Sequence, residues 1–180
     1  MTTQQSAGPG RPAWKLLWCL PALALAACAG INDIPPDAPV SEAMAVMGKP
    51  RLSCPLPDGG QRLVWSTQPT GQYAWRADTD ASGRIVGRVI PVLTDEEFRT
   101  VQSGRWTRQD VRCAFGPPAE SSEVGLPSVR QVVWSYRYRQ NGVWNSLMHI
   151  YFGNDGEYVT RMHPGPDPMF DPDDNFFRMP

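Results

Sequence analysis

The chain lacks a concentration of charge of either sign. Its 17 basic and 18 acidic side chains leave a formal net charge of −1 over 180 residues, and no cluster of Lys and Arg forms a stripe. Nucleic-acid binding, which needs such a stripe against phosphates, has no footing here. Histidine is scarce as well: His149 and His163 are the only two. Neither sits in a Cys/His/Asp cluster with metal-ligand spacing, so no metal and no other cofactor is expected. The stretches "DASG" (80–83) and "GNDG" (153–156) lack the longer acidic run and distal Glu of a calcium loop, and they read as hairpin turns. Ser135, His149 and Asp155 make a Ser/His/Asp set on paper, but no nucleophile elbow accompanies them. No catalytic residues are therefore expected, and the chain reads as a non-enzyme. Long apolar runs are missing too. The run at 16–27 has twelve residues, short of the roughly 20 that a membrane-spanning helix needs.

That run is nonetheless the most informative stretch. Arg11 and Lys15 precede it without any acid, and "LLWCLPALALAA" has the length of a secretory apolar core ending in small residues. It closes on "LAAC", Leu25-Ala26-Ala27-Cys28, which resembles the bacterial lipobox. The resemblance implies cleavage before Cys28 and lipidation of its thiol. Removal of residues 1–27 takes the net charge from −1 to −3. At about 0.8 kcal/mol per buried CH₂, more than one acyl chain anchors stably. Ala29, rather than Asp, follows the cysteine, and by resemblance to known sorting rules this favours the outer membrane. Of the four cysteines, Cys19 leaves with the leader and Cys28 carries lipid, so Cys54 and Cys113 remain in an oxidising compartment. They form either a disulfide or two buried thiols.

The rest of the chain echoes itself. "VMGKP" (46–50) returns as "AFGPP" (114–118), "RLVWS" (62–66) as "QVVWS" (131–135), and "DASGRIVGRV" (80–89) as "GNDGEYVTRM" (153–162). The order is kept, which points to an internal duplication. In the second copy, Thr94 and Glu97 start a helix that Gly104 ends. Thr107 and Asp110 start another, with Val111, Ala114 and Phe115 on its inner face and Gly116-Pro117 as its stop. After a loop at 118–129, "RQVVWSYRYR" alternates as a strand, Asn141-Gly142 turns, "VWNSLMHIYF" returns, and "EYVTRM" follows as a third strand. The first copy is shorter: a helix at 42–47 capped by Ser41, then strands near 62–67, 72–78 and 84–90. Each sheet needs its helices, or the other copy, to cover its apolar face.

"SGRWTRQDVRCAFGPP", "VVWSYRY" and "HIYFGNDGEYV" resemble the SmpA/OmlA, or BamE-like, lipoproteins. Gly104, Thr107, Val111, Gly116, Pro118, Trp134, Tyr136 and Asp155-Gly156 occupy the family's motif positions, and Arg105-Trp106 stands where the family has a Met. The resemblance implies an α+β fold of two-layer units, with short helices on a three-stranded antiparallel meander, of the type also seen in β-lactamase-inhibitor-like proteins and here duplicated. It further implies an outer-membrane lipoprotein facing the periplasm, an accessory factor of β-barrel assembly and envelope integrity. Its partners would be subunits of the assembly machine. The alternative is an inhibitor-like module that binds a periplasmic enzyme.

The expected organisation is a signal peptide at 1–27, a lipidated tether at 28–40, a degenerate repeat at 41–92, a BamE-like repeat at 93–163 and a Pro/Asp-rich tail at 164–180. The tether's prolines give it polyproline stiffness. The tail reads as a disordered end, or as a docking segment with apolar anchors Met169, Phe170, Phe176 and Phe177. Trp106, Arg137, Tyr138, Arg139 and Trp144 are the candidate interaction residues. The last four suggest an aromatic-basic patch for a barrel protein or anionic headgroups, or else a solvated sheet face.

Overall fold

The computed structural model describes residues 30–170. The expected signal peptide, Cys28, and Phe176 and Phe177 of the tail lie outside them. Among the described residues regular structure is mostly β, which corrects the expected fold. Two four-stranded antiparallel sheets stand where three-stranded meanders under helices were expected, and the helices are few and short. The first sheet runs in chain order through β1 (Leu52–Pro55), β2 (Gln61–Ser66), β3 (Ala74–Thr79) and β4 (Ile85–Pro91). The second runs through β5 (Glu120–Val124), β6 (Gln131–Gln140), β7 (Trp144–Phe152) and β8 (Val159–Pro166).

The unforeseen strands are β1 and β5. Both are short edge strands, and β5, "ESSEV", is exposed along its whole length. Alternation is visible only where one face is buried, so a polar edge strand has the sequence of a loop. Its backbone still pairs with β6, from Glu120 opposite Ser135 to Val124 opposite Gln131.

The helices also differ from expectation at their ends. α1 covers Val40–Met47, so Ser41 lies inside it and not at its cap. The N–H of Val40 donates instead to the Gly83 carbonyl across the fold. α2 is a single turn, Asp95–Phe98, with the Thr94 hydroxyl accepting from the Glu97 N–H. It stops well before Gly104, whose N–H bonds to Val159 of β8. α3 spans Arg108–Phe115 within a complete capping box: the Thr107 hydroxyl accepts from the Asp110 N–H, and the Asp110 carboxylate accepts from the Thr107 N–H. Gly116 ends it at φ +84°, where a side chain would be strained and would crowd Val64.

These helices lie in layers with the sheets. Leu63 and Trp65 of β2 pack with Ala43, Met44 and Met47 of α1. Val64, between them, points to the opposite face and meets the end of α3. α3 then presents Val111, Ala114 and Phe115 to a core shared with Tyr136, Ile150 and Phe152 of the second sheet. Phe98 of α2 joins them, edge-on to Tyr138 at 5.0 Å between ring centroids and 4.8 Å from Phe115. The two buried phenols have partners: Tyr136 donates to the Gly116 carbonyl at 3.0 Å and Tyr138 to Asp95 at 3.1 Å. Burial raises both phenol pKa values well above the ordinary tyrosine range, so both stay protonated donors.

Two devices fasten the layers. Cys54 of β1 is bonded to Cys113 of α3, 59 positions further along the chain, with Cα atoms 5.9 Å apart. The second device is polar. The Gln68 side chain donates to the Arg137 carbonyl at 2.7 Å and accepts from the Arg137 N–H at 3.3 Å, which completes β6 beyond the end of β5. The Arg137 guanidinium donates to the Pro69 carbonyl at 2.8 Å and to Glu120 at 2.6 Å. Its Nε also lies 3.1 Å from Asp167, an ion pair without hydrogen-bond alignment. Asp167 is fully buried and Arg137 is 4% exposed. This corrects the expected start of a free tail at residue 164: Pro164 and Pro166 pair with β7, and the next residue is locked inside.

Two stability outcomes follow. Reducing the disulfide, or replacing both cysteines by Ala, should cost roughly 4 kcal/mol on the loop-entropy scale, read from urea unfolding with and without reductant. Asp167→Ala leaves Arg137 buried against fewer charges and should cost about 3 kcal/mol or more, measured in the same way.

Candidate functional site

The expected aromatic-basic patch does not form. Alternation along β6 places Arg137 on one face and Tyr138 on the other, and both are buried. Arg137 serves the contact between the sheets, and Tyr138 belongs to the core. Arg139 is half-buried and donates to Asn145 at 2.7 Å. Trp144, at the tip of the β6–β7 hairpin, is 67% exposed. Trp106 stacks on Phe115 at the edge of the core, 6.2 Å between centroids. Of these residues only Trp144 is a free surface side chain.

Three of the motif residues, by contrast, converge on one place. Thr107 at the start of α3, Trp134 of β6 and Gly156 of the β7–β8 turn line a single groove of about 630 Å³. Arg108, Gln109 and Arg112 from α3 and Glu157 from the turn complete its wall. The groove owes its shape to the turn. The Arg108 N–H donates to the Glu157 carbonyl at 2.8 Å, and Thr107 forms an isolated bridge with Tyr158. Gly156 sits at φ +68°, and a Cβ there would overlap the Arg108 Nη2. The Asp-Gly turn thus leaves the space that the guanidinium fills.

Arg108 lies over two rings, with its Cζ 5.6 Å from the Trp134 centroid and 5.4 Å from that of Phe152. Such cation–π contacts hold a guanidinium in one orientation. Its Nε is buried with no hydrogen-bond partner among the described residues. Nothing in the sequence separates Arg108 from any other helix-surface arginine, since its orientation depends on Trp134 and Gly156, both distant along the chain.

A second polar cluster lies on the outer face of the second sheet. Glu120, Ser135, His149 and His163 stand directly opposite one another across β5, β6, β7 and β8. The Ser135 hydroxyl and His149 Nδ1 are 2.8 Å apart, and the two imidazoles lie 5.4 Å apart. His163 stacks on Tyr151, and Arg161 caps the Tyr151 ring at 3.7 Å. Asp155 is not part of this row; its carboxylate accepts from the Glu157 N–H at 2.9 Å within its own turn. Ser135 itself is buried. The paper triad is therefore not assembled.

Comparison with family models, with curated proteins and with solved structures finds no match to this chain.

The histidine row sets a pH dependence. Burial first, then the His163 charge, lowers the His149 pKa, with Glu120 opposing them. The unfolded chain takes up this proton near the ordinary value of about 6.5, the folded chain only at lower pH. Stability is therefore whole above about 6.5 and falls as pH drops from there toward the folded pKa. His149→Gln should flatten this decline in thermal unfolding between neutral and mildly acidic pH.

Proposed function

We propose that this chain is a lipid-anchored, periplasm-facing protein of the bacterial outer membrane that acts by binding and not by catalysis. The observation that carries the reading is the distribution of cysteines. "LAAC" supplies a lipidation signal at Cys28, and the two cysteines left in the mature chain are bonded to each other. A disulfide between a strand and a helix suits an oxidising compartment, which a chain with this leader would enter. Residues 30–39 lead from the anchor to α1, and Ile34 and Ala38 among them are packed into the core of the first sheet.

The partner class follows from the motif order. Its resemblance to BamE-like lipoproteins supports subunits of the β-barrel assembly machine. That support now rests on short motifs alone, because the two four-stranded sheets are not the architecture the resemblance implied. Trp144, exposed at a hairpin tip, suits protein contact. The second reading is a module that binds a periplasmic enzyme.

Anchoring and partner are tested separately. Cys28→Ala should abolish labelling by palmitate and release the protein from membranes; unchanged labelling and membrane retention would overturn the anchor. Crosslinking in intact cells should then recover assembly-machine subunits with the wild-type chain. Recovery of a single soluble enzyme would favour the second reading.

A further inference from the structure

Arg108 and Arg112 stand at i and i+4 on one face of α3, and both line the groove with Trp134. Like charges at this spacing repel. Neither takes part in the ion pairs found among the described residues. The nearest acid on the helix, Asp110, is committed to capping, with its Oδ2 bonded to the Thr107 N–H and hydroxyl at 2.8 and 2.7 Å. Glu157 lies at the rim and is exposed. The groove therefore holds two cations of one helix face, one of them held over an aromatic pair and lacking a partner at Nε.

We infer that this groove is a binding site for an oxyanion, a carboxylate or phosphoryl group carried on a small body that lies against Trp134. The planar guanidinium of Arg108 matches two oxygens of such a group. Its orientation is fixed in advance by Trp134, Phe152 and Gly156, so little side-chain freedom is lost on binding. Arg112, exposed on the next turn, supplies the second charge. An anion between the two cations also relieves their repulsion. The inference uses only α3, β6, the end of β7 and the β7–β8 turn, and it holds whether or not Cys28 carries lipid.

The probes are benzoate and phenyl phosphate, which present the two oxyanions on the same ring, with toluene sulfonamide as an uncharged aromatic control. They are titrated into the full-length protein in neutral detergent by calorimetry and by NMR of the tryptophan indole signals. Saturable binding of at least one anion is expected, with the Trp134 indole shifting and the Trp144 indole unmoved. The tighter of the two anions then names the group. Arg108→Gln should weaken that binding about tenfold or more, the scale of one lost charge-assisted pair. Glu157→Gln should strengthen it. If Arg108→Gln does not fold, Arg112→Gln carries the same test from an exposed position. Binding unchanged in the arginine variant, binding of the neutral control as tight as that of the anions, or no saturable binding of either anion would overturn the site.

Discussion

An antiparallel meander has two faces and can bury an apolar one only against something outside its own strands. Here two meanders of four strands follow one another in the chain, and the one-turn α2 and the eight-residue α3 lie between them. α3 turns Val111, Ala114 and Phe115 toward the second sheet, while its end meets Val64 of the first and its Cys113 is bonded to Cys54. α3 is too short to be stable alone. Its capping box, its glycine stop and the walls on either side define it together. The groove depends on the same helix, because Arg108 leaves its first turn with the backbone already tied to Glu157.

What the sequence reveals and what it conceals divide along burial. β6 and β7 are long and half-buried, and the alternation of Val132, Trp134, Tyr136 and Tyr138 shows them plainly. The limits of α3 are equally plain, since Thr107, Asp110 and Gly116 each act on their own neighbours. β1 and β5 are concealed because an edge strand needs only backbone pairing, which leaves no mark on side chains. The missing fourth strand of each sheet is what made the units look like helices on three strands.

The site was less legible than the fold. Thr107, Trp134 and Gly156 stood out as motif residues, yet their meeting in one groove could not be read from spacing. Arg137 and Tyr138 misled for a local reason: adjacent residues of a strand point to opposite faces, so they could not share a surface. The burial of Arg137 was set by Gln68, Pro69 and Asp167, residues far away along the chain. Long-range polar contacts have no periodicity, and a sequence read by period passes over them.

The Arg137–Asp167 contact also bears on the order in which the molecule can be completed. A polypeptide is synthesised from its N-terminus, so Arg137 is made well before Asp167. Until Asp167 arrives, β6 carries a cation whose enclosing partners are a loop of the first sheet and one edge glutamate. The second sheet therefore cannot close around its own strands and wait. Its final seal comes from Asp167, just past the end of β8, folding back across a residue made much earlier. Closure of the fold waits on Asp167, and a chain cut short before it leaves Arg137 enclosed without that buried counter-charge.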